Sequence, residues 1–284
     1  MDSPAIAWAR PTAAQRFDDD AATFWKRGFV IVRGLFRADE MAVLKSIVAR
    51  HAGMKAHAAR ALERSQGSTR PSFETVYVWN DTAGRDAFAK ATRSRRIIDR
   101  LEAFFGDDVY VYHNKVAQKY PGVVGFSYHQ DYAYWYEMGN LFPDMATAFI
   151  AIDKATRANG CLRLVEGSHR LGRINHVQRD GVSDSGVDVE RLEQVLKTMP
   201  EVPIELDVGD AVIFHCNTLH ASDDNHSTDS RIALLGCYNT RHNDPYKSVH
   251  GHPGWHAQQK LDEPITWADA DNLPDFSYQW KGAE

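Results

Sequence analysis

In the stretch Tyr128-His129-Gln130-Asp131-Tyr132 an imidazole and a carboxylate stand two positions apart. On a β-strand, residues i and i+2 point to the same face. The two groups would then converge and could share one metal ion. The spacing alone carries little weight, because a chain with 13 histidines and many aspartates produces such pairs by chance, and this one holds two. The second, His242-Asn243-Asp244, is followed at once by Pro245. Its downstream histidines, His250, His252 and His256, follow with no strand-like run between them. It reads as a decoy.

The first pair has better company. The run Val208-Gly209-Asp210-Ala211-Val212-Ile213-Phe214-His215 reads as a turn and a buried strand, and His220 follows it closely. Arg231 then opens another apolar run, Arg231-Ile232-Ala233-Leu234-Leu235. A guanidinium at the head of a core strand is costly to bury alone. It is well suited to receiving a carboxylate, which its planar fork binds at two points. The alternative is a salt bridge from Arg231 to Asp223, Asp224 or Asp229. Two histidines and one carboxylate with open positions are the facial set of non-haem Fe(II) oxygenases. His129, Asp131 and His220 are therefore the candidate metal ligands and catalytic centre.

These residues need elements to hold them. Residues 13–26 carry Phe17, Ala21, Phe24 and Trp25 at helical spacing, and Gly28 ends that pattern. Phe29–Val32 reads as a strand, 38–52 as a helix with Met41, Leu44, Ile47 and Val48 on one stripe, and 85–105 as a further helix. After that the texture becomes short apolar runs between turn signals. They are Val109–Lys119, Val124–Tyr128, Ala148–Asp153, Cys161–Val165, Val202–Leu206, Ala211–Phe214 and Arg231–Asn239. Such spacing predicts a sandwich or barrel. The expectation is a mainly β fold with flanking helices, in one domain spanning 1–284. Helical elements over 13–105 would pack on a β-core at about 109–240. Residues 170–200 form a polar insertion with a short helical pattern at Val189–Leu196, read either as a lid or as a surface loop.

The formal charge of −5 and the absence of any Lys/Arg run argue against nucleic acid. No apolar stretch approaches the roughly 20 residues that a membrane-spanning helix requires, and the first residues lack the pattern of a secretory signal. The three cysteines, Cys161, Cys216 and Cys237, form no CxxC pair and no even framework. They read as buried small apolar residues in a reducing, cytoplasmic compartment.

The motifs NKVAQKYPG, YHQDYAYW, AIDKATRANGCLRLVEGSH, GDAVIFHCNTLHAS and RIAL, after a helix–GFVIVRGLF–helix opening, resemble the phytanoyl-CoA dioxygenase family of Fe(II)/2-oxoglutarate oxygenases, in its ectoine-hydroxylase-like branch. The resemblance covers most of the chain. It implies a double-stranded β-helix core (a cupin-like jelly roll) with N-terminal helices. It implies His129, Asp131 and His220 as iron ligands, and Arg231, helped by the Ser222 hydroxyl, as partner of the distal carboxylate of 2-oxoglutarate. Phe149 lies where many relatives place a Trp beside the cosubstrate. Trp135 matches a substrate-side Trp, but the preceding strand lacks the glutamine–arginine–asparagine set that would accompany ectoine. The Asn159-Gly160 turn is read as structural.

The implied chemistry couples oxidative decarboxylation of 2-oxoglutarate by dioxygen to hydroxylation of an unactivated C–H bond, releasing succinate and CO2; ascorbate would serve as a reductant in vitro. Related halogenases carry Ala or Gly where this chain has Asp131, so the carboxylate argues for hydroxylation. If the metal-bearing strand continued, Ala133 and Trp135 would face with His129, and Tyr128, Tyr132, Tyr134 and Tyr136 away from it. Asn114, Gln118, Lys119 and Arg241 are further substrate candidates, the last two as partners of an anionic group. The expected partner is a small polar metabolite, acted on by a monomer or homodimer. Two other readings are a 2-oxoglutarate-independent iron oxygenase on the same core and a non-catalytic small-molecule sensor.

Overall fold

The computed structural model describes residues 17–56, 59, 75–78, 84–178, 185–247 and 252–271. The chain opens with helix α1 (Asp18–Arg27), strand β1 (Phe29–Val32) and helix α2 (Ala38–Arg50). Three aspartates in the first turn of α1 and Lys26 and Arg27 in its last complement the helix dipole. Gly28 then stops it with φ 85°, its N–H bonded to the Phe24 carbonyl at 2.7 Å. Next come β2 (Thr75–Val78), α3 (Ala87–Thr92) and α4 (Arg95–Phe105). The single helix expected over 85–105 is thus two. The Ser94 hydroxyl caps α4 by accepting from Arg96 N, and this separates it from α3.

The β-core follows as β3 (Val109–Lys119), β4 (Phe126–His129), β5 (Met145–Ala151), β6 (Leu162–Val165), β9 (Glu201–Ile204), β10 (Ala211–His215), β11 (His220–Ser222) and β12 (Arg231–Thr240). A six-stranded sheet has the order β1-β10-β5-β12-β3-β2, and a four-stranded sheet the order β4-β11-β6-β9. All these pairings are antiparallel. Helix α5 (Asp131–Glu137) stands between β4 and β5. The described residues of the 170–200 insertion carry regular structure. They contain β7 (His176–Gln178) paired with β8 (Ser185–Val187), then α6 (Val189–Thr198), with Asp188 accepting from Arg191 N as its cap.

Strand alternation divides the six-stranded sheet into two chemically distinct faces. On one face Val116, Ala148, Ile150, Ile213, Ile232, Leu234 and Tyr238 pack against Phe24, Met41, Leu44, Ile47, Phe88, Ile97 and Leu101 of the helices. On the other, Phe29, Phe149, Val212, Phe214 and Ala233 meet Leu162, Leu164 and Ile204 of the four-stranded sheet. Two antiparallel sheets closed over such a core, with helices on the outside of one, form the expected jelly roll. The space between the sheets is where residues of β3, β4, β5, β11 and β12 can meet.

Candidate active site

His129 ends β4 and His220 opens β11, and the two are directly paired across the ladder. Their ring centroids lie 4.0 Å apart. Asp131 Oδ1 sits 3.9 Å from Nε2 of each imidazole. The three donor atoms all fall within 4.8 Å of one another, close enough to share one ion.

Hydrogen bonds fix which atoms are offered. His129 Nδ1–H donates to the Ser127 carbonyl at 2.8 Å, and His220 Nδ1–H donates to the Thr218 carbonyl at 2.9 Å. Both Nε2 lone pairs therefore turn inward. The Thr147 hydroxyl of β5 donates to Asp131 Oδ2 at 2.7 Å, leaving Oδ1 for a metal. Burial is the main force lowering both imidazole pKa values, with His220 adding to the effect on His129, while Asp131 partly opposes it at His220. Neutral imidazoles with fixed tautomers and an oriented carboxylate are the donor set a divalent transition metal requires.

Asp131 reaches this position by a route other than the expected one. The strand does not continue past His129. Gln130 caps α5 in extended conformation and Asp131 is the first helical residue, where the helix dipole favours a carboxylate. Helical geometry then redistributes the aromatic residues. Trp135, one turn after Asp131, is buried beside Tyr112 (6.0 Å) and His113 (5.7 Å). Tyr134 turns back toward His129 at 6.1 Å instead of facing away, and Tyr136 is exposed.

A second polar cluster surrounds Arg231. This guanidinium is 1% exposed, donates to the Gly160 carbonyl at 2.9 Å and lies 5.4 Å from the centre of the Phe149 ring. Lys119, its cross-strand partner, is also buried, and its ammonium donates to Ser222 Oγ at 2.8 Å and to the Gly160 and Asp223 carbonyls. Burial and then the Arg231 charge depress the Lys119 pKa to about 6. Burial lowers Arg231 to about 10. A buried guanidinium and a lysine amine held together among carbonyls, with the Ser222 hydroxyl on the amine, are an arrangement suited to a carboxylate, whose arrival would favour the charged lysine.

Three of the substrate candidates do not face the space between the sheets, and a fourth serves a different place in it. Asn114 and Gln118 occupy the helix-facing side of β3, where Asn114 Nδ2 donates to Thr92 Oγ1 at 3.3 Å and Gln118 Nε2 to the Met54 carbonyl at 3.4 Å. Arg241 lies just past the far end of β12 from Arg231. It is an exposed side chain 3.4 Å from Asp108 and 5.6 Å from the Trp255 ring. Lys119 belongs to the Arg231 cluster. The decoy behaves as one: His242 uses Nδ1 on Asp107 and Nε2 on Asp144, both at 2.7 Å, and Asp244 accepts from Trp255 N. His250 lies outside the described residues.

Other contributors went unnoticed in the sequence. Thr147 stands two residues before Phe149 on β5, so alternation could have found it. Gly160 supplies a carbonyl to both cations, so the Asn159-Gly160 turn is part of the receptor. Gln130, between two candidate ligands, is fully buried. Its side chain donates to the Asn217 and Gly172 carbonyls and accepts from Ile174 N. No spacing rule predicts such a splint.

Comparisons with known proteins agree with this geometry. The sequence description of the phytanoyl-CoA dioxygenase family (PhyH) matches residues 24–233. The chain belongs to the phytanoyl-CoA dioxygenase family. It is an Fe(II)- and 2-oxoglutarate-dependent dioxygenase. It is 28% identical to an ectoine dioxygenase of Streptomyces anulatus, over 84% of this chain and 83% of that one. It is 30% identical to an L-proline trans-4-hydroxylase of Streptomyces griseoviridis, over 65% and 74% respectively. The crystal structure of EctD from S. alaskensis with 2-oxoglutarate and 5-hydroxyectoine superposes with a TM-score of 0.69 at 21% identity, covering 93% of this chain and 91% of that one. That likeness bears on the fold, a cupin-like jelly roll. Among the described residues, no helix is long and apolar enough to cross a membrane.

Proposed function

We propose that His129, Asp131 and His220 hold the Fe(II), and that Arg231, Lys119 and Ser222 take the distal carboxylate of 2-oxoglutarate. The observation that carries this reading is a three-donor cluster on the four-stranded sheet and the helix after it, facing a buried Arg231–Lys119 pair on the six-stranded sheet, with the two sheets joined by the Lys119–Ser222 hydrogen bond two residues past His220. The iron, when bound, supplies activation of dioxygen and oxidative decarboxylation of the cosubstrate. The protein binds, orients and excludes water. Thr147 and the Ser127 and Thr218 carbonyls fix the donor atoms. Ser222 Oγ accepts from Lys119 and from Phe126 N at 3.2 Å, so its own proton is available to a carboxylate. Phe149 walls the receptor on one side.

The substrate in this reading is a small polar metabolite, hydroxylated at an unactivated C–H bond; the related enzymes act on ectoine and L-proline. Trp135 and Tyr134 border the space beside the metal donors. Asp131 occupies the position a halide would need, which favours hydroxylation. The β7 portion of the insertion acts as a cover: His176 Nε2 accepts from Gln130 N at 3.1 Å and its ring lies 6.4 Å from that of His129. The chain works as a single domain, since the helices at 18–105 and the β-core share one continuous apolar cluster. Three buried, unbridged cysteines fit a reducing cytoplasm. The test is succinate formation from 2-oxoglutarate with Fe(II), dioxygen and a panel of small polar metabolites. Stimulation by a panel member in the native protein, lost in Asp131→Ala, is expected. Substrate oxidation without succinate would point to the 2-oxoglutarate-independent alternative.

A further inference from the structure

Strands β3 and β12 are adjacent, and nearly all their residues are buried. Each has one exception, Lys115 on β3 and Leu235 on β12. These two residues are directly paired. Their even-numbered neighbours, Asn114, Val116 and Leu234, pack toward the helices. Lys115 and Leu235 therefore project from the opposite face, toward the inter-sheet space. Along the two strands, this pair is the part of the inner wall most open to solvent.

The surroundings of Lys115 connect this opening to the metal donors. The next inner pair along the ladder is His113 with Cys237. Cys237 Sγ lies 3.6 Å from the Thr147 hydroxyl, which holds Asp131. The His113 ring lies 5.7 Å from Trp135, one helical turn past Asp131. The Arg231–Lys119 receptor lies four residues further along β3, about 13 Å at strand rise. One wall thus carries two cationic stations, one deep and closed, the other open to solvent near the metal donors.

We propose that Lys115 is a specificity-determining residue that receives an oxyanionic group of the substrate, a carboxylate or phosphonate, as it enters beside the metal. The remainder of the substrate would then lie against Trp135 and the His113–His252 pair, whose ring nitrogens are 3.1 Å apart. This deepens the iron and 2-oxoglutarate reading of the site and rests on it. It concerns recognition, and Lys115 takes no part in the chemical step.

The test uses the full chain loaded anaerobically with Fe(II) and saturating 2-oxoglutarate, whose complex has a visible charge-transfer band. Methylphosphonate is the probe and its neutral dimethyl ester the control. The expected result is a saturable shift of the band by methylphosphonate and none by the ester. Affinity for the probe should fall at least tenfold in Lys115→Met and recover to within threefold of native in Lys115→Arg. The band itself should form normally in both variants, which shows that the cosubstrate site is intact. An unperturbed band in the native protein, equal response to the ester, or undiminished affinity in Lys115→Met would overturn the proposal while leaving the iron reading standing. Failure of the native protein to form the band at all would overturn both.

Discussion

Lys119 gives the account a quantitative pH signature. In the free protein its pKa is held to about 6 by burial and by Arg231. At about pH 7.5 only about 3% of the ammonium form remains, by the usual titration relation. A distal carboxylate arriving between Lys119 and Arg231 favours the charged form and raises that pKa. Binding of 2-oxoglutarate then takes up about one proton per site. The sign follows from this: uptake on binding means that affinity falls as pH rises. If the bound-state pKa exceeds about 10, the dissociation constant should rise about 75-fold between about pH 6.5 and 8.5, close to tenfold per pH unit once free Lys119 is deprotonated. In the Zn(II)-loaded protein the imidazole donors are held neutral as metal ligands and add no slope. The assay is calorimetric titration of 2-oxoglutarate into the Zn(II)-loaded protein, in buffers of different ionisation enthalpy. Lys119→Met should bind without proton uptake and with a flat pH profile. A flat profile in the native protein, with no buffer-dependent heat, would refute the reasoning about Lys119.

Further outcomes follow from other contacts. Thr147→Val removes the bond that orients Asp131 and should weaken metal binding about 10–100-fold, measured by competition with a chelating dye. Arg231→Met removes a buried carboxylate partner and should cost about 2–5 kcal/mol in 2-oxoglutarate binding, with metal affinity unchanged. Gln130→Ala strips three hydrogen bonds from the junction of the insertion, the metal-donor strand and the 217 loop. A loss of roughly 1–3 kcal/mol for each buried group left without a partner should appear as a lower Tm. His242 is bridged by Asp107 and Asp144, whose hydrogen bonds outweigh burial and raise its pKa. Its contribution to stability is complete below the unfolded-state value and disappears as pH rises through the raised one. The Tm difference between native protein and His242→Gln should therefore be greatest in mild acid and vanish in alkali.

Much of this was legible because hydrophobic texture and ordered polar residues survive folding directly. The apolar runs became strands, and His129, Asp131, His220 and Arg231 arrive at the space between the two sheets. The failures have physical causes. Strand alternation expects Asp131 on the face of His129; the two groups do lie close together, but through a turn into a helix. A helix begins at Asp131, and no β-branched break in the Tyr/Trp-rich run announces it. That switch also misdirected Tyr134. Strand parity puts Asn114 and Gln118 on the face of β3 opposite to Lys119. Which parity faces inward depends on where the helices pack, and this is a tertiary fact. The same tertiary fact turns Lys115 inward. Gly160 and Gln130 act through a backbone carbonyl and a buried amide, neither of which leaves a mark on spacing.

The central claim is geometric, and an anomalous-scattering diffraction map of the protein crystallised with Fe(II) and 2-oxoglutarate tests it directly. The account predicts one iron peak bounded by the imidazoles of residues 129 and 220 and the carboxylate of residue 131, with the distal carboxylate of 2-oxoglutarate between Arg231 and Lys119. An iron peak on any other residues, or a cosubstrate whose distal carboxylate lies away from that pair of cations, would contradict it.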